Sequence, residues 1–112
     1  MGKKGFGTGG KIMISKIRNE NVELFFDALL SLKDKEDLYA FFDDICTTNE
    51  VLSIAQRFEV AYMLHEGKTY NDISKETGAS TATISRVNRS VSDGNGSYDM
   101  IFERLEKKEE DK

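Results

Sequence analysis

The most distinctive side chains of this sequence lie at positions 80–89, where hydroxyl, amide and guanidinium groups occur without a single acid. At 100° per residue, a helix through this segment would place four of them on one outward face. These four are Thr81, Ser85, Asn88 and Arg89. Such groups form the hydrogen bonds that base edges accept or donate, and the short hydroxyl residues permit close approach. The pattern therefore has the chemistry of a surface that reads DNA.

A helix-turn-helix over residues 68–91 is the element that would position this face. Ile73 and the small Ser74 fit a first helix that crosses a second one closely. Gly78 fits the turn, where a positive φ costs glycine least, and Ser80 can cap the second helix. The residues expected on the inner face of the second helix are Ile84, Val87 and Val91. Such a unit usually places its second helix in the major groove.

Different residues of this unit are expected to contact different parts of DNA. Recognition helices read bases mainly with their N-terminal residues, which favours Ser80, Thr81 and Ser85. The two lysines of the unit and Arg89 are expected to hold phosphates. The full predicted DNA-binding set is Lys68, Lys75, Ser80, Thr81, Thr83, Ser85, Asn88 and Arg89. The alternative is a solvated polar face on a helix pair that docks a protein partner and never touches DNA.

Charge is distributed unevenly along the 112 residues. The formal net charge of −4 by itself argues against a nucleic-acid partner. Residues 68–91 nevertheless hold four cationic and two anionic side chains, whereas residues 19–67 hold three cationic and eleven anionic ones. Because charges in salt interact over a Debye length of about 8–10 Å, the local balance decides phosphate binding. The sequence thus predicts a positive DNA-reading patch on an acidic body.

Composition limits the class of protein. The chain has no proline and one cysteine, so an intrachain disulfide is impossible and a reducing cytoplasm is the expected setting. No apolar run approaches the ~20 residues of a membrane span. His65 is the single histidine and has no sequence pattern with Cys46 that suggests catalysis, which argues against a zinc site or a hydrolytic triad. The adjacent carboxylates Asp43 and Asp44 would point apart on a helix. We therefore predict no catalytic residue, no metal site and no enzyme activity.

Helical periodicity covers the rest of the chain. An apolar stripe from Glu20 to Lys33 predicts a first helix, and a second follows from Asp34. Thr47 has the capping-box glutamate three residues later and starts a third helix that ends at Gly67. Residues 92–97 have the composition of a loop, after which a sixth helix is expected.

The predicted organisation is an all-α chain with one folded domain. The boundaries are a flexible basic tail at 1–19, a helical domain at 20–108 with dimerisation helices at 20–66, and a charged tail at 109–112. Apolar residues occupy most of the circumference of the third helix from Val51 to Leu64. Such a helix is buried on more than one side, so it is either central in the chain or shared with a second subunit.

Two segments carry a resemblance to a known family. Residues 77–90, TGASTATISRVNRS, have the Gly-Ala turn, the Ala-Thr-Ile run and the arginine of the reader in the Trp repressor family. Residues 47–70, TTNEVLSIAQRFEVAYMLHEGKTY, are more similar to the YerC/YecD branch of that family. The resemblance runs from Thr47 to Val91. It implies a six-helix subunit, an intertwined homodimer and a near-palindromic operator.

The resemblance also implies a ligand pocket, because the Trp repressor holds tryptophan between two arginines. The positions of this chain that match the pocket are Thr47, Arg57, Thr83, Arg86 and Ser90. Arg86 is therefore interpreted as a pocket residue in preference to a residue that contacts DNA. For Arg57, a salt bridge to Glu50 or Glu59 on the same helix is the alternative explanation.

This sequence departs from the family pattern near the pocket. Val87 stands where the family has a small glycine, and the loop before the fourth helix is one residue shorter. Asp44 and Cys46 stand where apolar pocket residues are expected. These changes argue against tryptophan as the ligand and leave another small-molecule corepressor open, with no cofactor required.

The residues and the resemblance together predict a sequence-specific DNA-binding transcriptional regulator. It would act as a repressor, as a homodimer on a near-palindromic operator in the cytoplasm. The competing prediction is a helical protein-interaction module that does not bind DNA.

Overall fold

The structure, a computed structural model, describes residues 14–110. In that range it has six α-helices, a short 3-10 turn at Ile14–Lys16 and no strand. The helices are α1 (Glu20–Leu30), α2 (Lys35–Ile45), α3 (Thr48–His65), α4 (Tyr70–Thr77), α5 (Thr81–Asp93) and α6 (Ser97–Glu110). The predicted all-α class with six helices is confirmed.

The chain divides into two compact units, residues 1–45 and 46–112. The first unit contains α1 and α2, and the second contains α3 to α6. The single domain expected at 20–108 stays a prediction. Most of the basic tail expected at 1–19 lies outside the described residues.

The first unit has little interior of its own. Its two helices meet at Phe25 and Phe41, whose ring centroids are 6.2 Å apart. None of its described residues is buried, and the side chains of Leu24 and Leu30 are 71% and 84% exposed. Apolar stripes at helical spacing thus predict both helices, and the described residues of this unit do not bury them.

The end of α1 differs from the prediction, because the helix ends at Leu30 and not at Lys33. The hydroxyl of Ser31 donates to the Ala28 carbonyl at 2.7 Å. The Lys33 N–H donates to the Asp37 carboxylate at 2.9 Å. These side-chain bonds take backbone groups that a longer helix would use, so the chain turns here and enters α2.

All buried residues of the described chain belong to the second unit. They are Val60, Ala61, Met63, Ile73, Ala79, Ile84, Val87 and Phe102. The inner positions predicted from the helical pattern, Ile73, Ile84 and Val87, are 0%, 0% and 4% exposed, which confirms them. Val91, the fourth predicted inner residue of the pair, is half-buried and packs against this cluster.

Phe102 attaches α6 to α3. Its ring centroid lies 5.5 Å from that of Phe58, 5.3 Å from Tyr62 and 4.7 Å from His65. The His65 Nε2 atom also lies 3.0 Å from a Glu106 carboxylate oxygen. An aromatic cluster with one polar contact therefore fixes the last helix on the core.

The third helix begins as predicted but is buried along only part of its length. The Thr47 hydroxyl accepts from the Glu50 N–H at 3.1 Å, and the Glu50 carboxylate accepts from the Thr47 N–H at 2.8 Å, which confirms the capping box. In the first half of α3, Val51, Leu52 and Ile54 are 37%, 60% and 53% exposed. The described residues therefore leave this half of α3 partly exposed, and the alternative that a second subunit shares the helix stays a prediction.

The loop between α5 and α6 is shorter than predicted, spanning 94–96 instead of 92–97. It includes Gly96, whose φ is +82°, a value that glycine adopts at low cost. The sixth helix also runs to Glu110 and includes the first two residues of the predicted tail at 109–112. Lysine and glutamate are good helix formers, and lysines in the last turn favour the helix dipole, so the charged run extends α6.

Candidate nucleic-acid interface

The turn between α4 and α5 is held by backbone and side-chain hydrogen bonds. Gly78 has a φ of +76°, and its N–H donates to the Ser74 carbonyl at 2.9 Å. The Ser74 hydroxyl donates to the Ala79 carbonyl at 2.9 Å. The Thr77 hydroxyl donates to the Ile73 carbonyl at 2.7 Å and accepts from the Ala79 N–H at 3.1 Å. These bonds therefore fix the backbone conformation of the turn, which sets the direction in which α5 leaves it.

A side chain from α3 also reaches this turn. The Gln56 Nε2 group donates to the Thr77 carbonyl at 3.1 Å, across a part-buried contact. The last carbonyl groups of a helix have no partner inside it, so Gln56 satisfies one of them at the end of α4. Gln56 is not predictable from the sequence, because it lies 21 positions from Thr77 and no local pattern links the two residues.

Ser80 caps α5 as predicted. Its hydroxyl oxygen accepts from the Thr83 N–H at 3.1 Å, and the same hydroxyl lies 3.1 Å from the Thr83 hydroxyl. The cap satisfies a backbone donor at the start of the helix. The side chains of Ser80 and Thr83 thus shape the start of α5, and both remain in the predicted DNA-binding set.

The outward face of α5 is accessible over most of its length. Six members of the predicted DNA-binding set are exposed, namely Lys68, Lys75, Ser80, Thr81, Asn88 and Arg89. Thr83 and Ser85 are half-buried. Six of the eight residues lie on α5 or its cap, Lys75 lies on α4, and Lys68 precedes α4.

The positive charge of this region stays accessible. All four cations of residues 68–91 are exposed, including Arg86. No ion pair within residues 14–110 involves any of the four. The two acids of the segment, Asp72 and Glu76, both lie on α4. The surface of α5 therefore carries cations and hydrogen-bonding groups without an acid up to Ser92.

The residues that match the family's ligand pocket differ in exposure and in their local contacts. Arg57, Arg86 and Ser90 are exposed, and Thr83 is half-buried. Thr47 caps α3. In the described chain, no ion pair joins Arg57 to Glu50 or Glu59, so the salt-bridge explanation for Arg57 is wrong. Val87, the branched residue that replaces the family's glycine, lies in the core cluster.

Comparison with known proteins identifies the family. The family model described as Trp repressor protein matches residues 20–106. The chain therefore belongs to the Trp repressor family. The match spans both compact units and all six helices apart from the last turn of α6.

Individual relatives agree with this assignment. The uncharacterized protein YerC of Bacillus subtilis (strain 168) is 53% identical over 98 residues, which cover 88% of this chain and 94% of YerC. The crystal structure of a TrpR-like protein from Eubacterium eligens is 60% identical, has a TM-score of 0.79 and aligns over 81% of this chain and 94% of that one. A structure from Staphylococcus aureus, provisionally described as a Trp repressor, is 49% identical with a TM-score of 0.81 over 86% and 96% of the two chains.

None of the helices in the part of the chain that the structure describes is both long enough and apolar enough to cross a bilayer.

Proposed function

We propose that this protein is a sequence-specific DNA-binding transcriptional regulator, a repressor that reads a near-palindromic operator as a homodimer. The observation that carries the proposal is the exposed, acid-free face of α5, presented by a hydrogen-bonded turn. Thr81 and Ser85 lie in the N-terminal half of that helix, from which recognition helices read bases. Exposed Lys68 and Lys75 would hold phosphates.

The homodimer is supported by apolar surface that a single chain leaves uncovered. Val51, Leu52 and Ile54 are exposed on the first half of α3. Leu24 and Leu30 are exposed on α1, in a unit without a buried residue among those described. Monomeric proteins rarely expose large contiguous apolar patches. A two-fold dimer would place two copies of α5 in successive major grooves, about 34–36 Å apart.

We also propose that the regulator binds a small-molecule corepressor. Exposed Arg57 and Arg86 without carboxylate partners in the described chain could receive the carboxylate of a ligand. Thr83 and Ser90 would add hydroxyl groups on the same side of α5. Asp44 and Cys46 stand where the family has apolar pocket residues, and Val87, in place of the family's glycine, is buried in the core. These departures from the family argue against tryptophan, so we propose a different small ligand for the side chains of Arg57 and Arg86.

The experiment that tests the function is a selection from random duplex DNA, read by sequencing, with and without L-tryptophan. A recovered inverted repeat would support a dimeric sequence-specific regulator. A motif that appears only with tryptophan would overturn our argument against that ligand. Recovery of no motif in either condition would count against the proposal.

Salt dependence separates the proposal from a protein-docking module. A DNA-binding face loses affinity steeply as salt rises, because bound phosphates release counterions. A face built to dock a protein would show little affinity for DNA even at low salt. Fluorescence anisotropy of a labelled duplex at several salt concentrations distinguishes the two cases.

A further inference from the structure

We propose that Gln56 is a positioning residue for α5, and that its hydrogen bond to Thr77 determines how sharply the protein discriminates between DNA sequences. The inference rests on the proposed DNA-binding function. It deepens that function, because Gln56 lies on α3, outside the helix-turn-helix, and needs no contact with DNA.

Thr77 is only a short distance along the chain from the proposed reading helix, α5. Thr77 ends α4, and α5 begins at Thr81. The intervening residues are fixed by Gly78 in its left-handed conformation and by the Ser80 cap. A stiff connection of this length transmits a displacement of the Thr77 carbonyl directly to the start of α5.

Apolar contacts and the Gln56 bond hold the helix-turn-helix against α3. The bonds from Ser74 to Ala79 and from Thr77 to Ile73 lie within the helix-turn-helix, so they move with it. Apolar contacts from Ile84 to the α3 core stabilise the packing, but burial is non-directional and permits small sliding. The Gln56 bond joins defined atoms on α3 and on the turn, and hydrogen bonds are directional.

Base reading tolerates a smaller displacement of the backbone than phosphate binding does. A short hydroxyl such as that of Thr81 reaches a base edge only if the backbone is correctly placed, because hydrogen bonds weaken outside a narrow range of distance and angle. Lys68 and Lys75 have long flexible side chains that can follow a phosphate after a small shift. Loss of the Gln56 bond should therefore reduce discrimination before it reduces overall affinity.

The variant that tests the inference is Gln56→Met, which keeps the length of the side chain and removes its donor. We expect the ratio of affinities for a selected and a scrambled duplex to fall roughly tenfold, as for loss of one part-buried hydrogen bond. Affinity for the scrambled duplex should be unchanged. The control is Asn95→Met, which removes an exposed amide from the loop between α5 and α6 and should leave both affinities unchanged.

A second measurement keeps the inference testable without DNA. Amide hydrogen exchange at Ala79 and Thr83, whose N–H groups donate to side chains of the turn, should be roughly fivefold faster in Gln56→Met, while exchange at Val60 in the α3 core is unchanged. If the methionine variant does not fold, Gln56→Glu carries both measurements, because an ionised carboxylate cannot donate to the Thr77 carbonyl.

Each outcome decides one of the two proposals. An unchanged affinity ratio in a folded variant, or an equal fall for both duplexes, would overturn the role of Gln56 in discrimination. Unchanged exchange at Ala79 would overturn its role in positioning the turn. If the unaltered protein selects no motif, the proposed function fails and the role in discrimination fails with it, while exchange still decides whether Gln56 positions the turn.

Discussion

Thr81 is the residue of α5 with the clearest opportunity to read a base. It is exposed in the first turn of the helix, the part that recognition helices direct into the groove. Ser80, beside it, already uses its hydroxyl to cap the helix, and Ser85 is half-buried. Lys75 lies on α4 and differs from all three, because it can contact a phosphate without recognising a base.

We expect Thr81→Ala to change which sequences are selected and to weaken the preferred site by about 1–3 kcal/mol, the range for one lost base contact. Lys75→Ala should weaken all duplexes alike and reduce the slope of log affinity against log salt by about one. Titrations of a preferred and a scrambled duplex at several salt concentrations measure both effects. Intact sequence preference in Thr81→Ala and Ser85→Ala would show that the outward face of α5 is misassigned.

Other residues of the candidate site show which of its features can be predicted from the sequence. Gly78 and Ser80 were predictable because a left-handed turn and a helix cap each depend on one residue and its near neighbours. No salt bridge from Arg57 to Glu50 or Glu59 is present in the described chain. The spacing did not favour one, because Glu50 lies seven positions before Arg57 and Glu59 two positions after it, whereas neighbours on a helix are three or four apart. Gln56 was not predictable, since its acceptor depends on how α3 packs against the turn.

The third helix is a single element with two kinds of surroundings. Its second half supplies Val60, Ala61 and Met63 to the core, whereas its first half exposes Leu52 and Ile54. The apolar pattern predicted a helix buried on more than one side, because a sequence records that a side chain is apolar without recording whether anything covers it. Helix ends were also less predictable than helices, since Ser31 and Asp37 end α1 through side-chain bonds.

We expect Leu52→Glu to shift the protein towards monomer without unfolding the second unit. The substitution adds a charge to a surface that we propose is covered by a second copy, where an unpaired charge is costly. Sedimentation at several protein concentrations measures the association, and circular dichroism checks the helices. Asn71→Glu adds the same charge on the exposed surface of α4 and should leave the association unchanged. A monomeric unaltered protein would contradict the dimer outright.

The whole molecule combines an acidic body with a local excess of cations. The net charge is −4, yet the exposed cations of residues 68–91 have no ion-pair partner in the described chain. Long-range repulsion from the body opposes binding to arbitrary DNA, while short-range contacts remain strong at a correctly shaped site. We therefore propose that the charge distribution favours discrimination between DNA sequences over general affinity for DNA.

Neutralising acids of α2 should raise binding to arbitrary DNA. We expect Glu36→Gln with Asp43→Asn to increase affinity for a scrambled duplex several-fold at low salt, with little effect at 0.3 M because screening shortens the interaction. The two side chains are exposed, so the free energy of unfolding should change little. Equal affinities of the double variant and the unaltered protein at low salt would show that the acidic body has no such role.

The exposed first half of α3 also affects how the occupied fraction of operator sites depends on the amount of protein in a cell. If Leu52 and Ile54 must be covered by a second copy before α5 can read an operator, the active species is a pair. At low abundance the number of pairs follows the square of the subunit concentration, so halving expression would leave about a quarter of them. Repression would then have a threshold in gene dosage, and a copy with an intact dimer surface but a defective α5 would interfere with the normal copies by pairing with them.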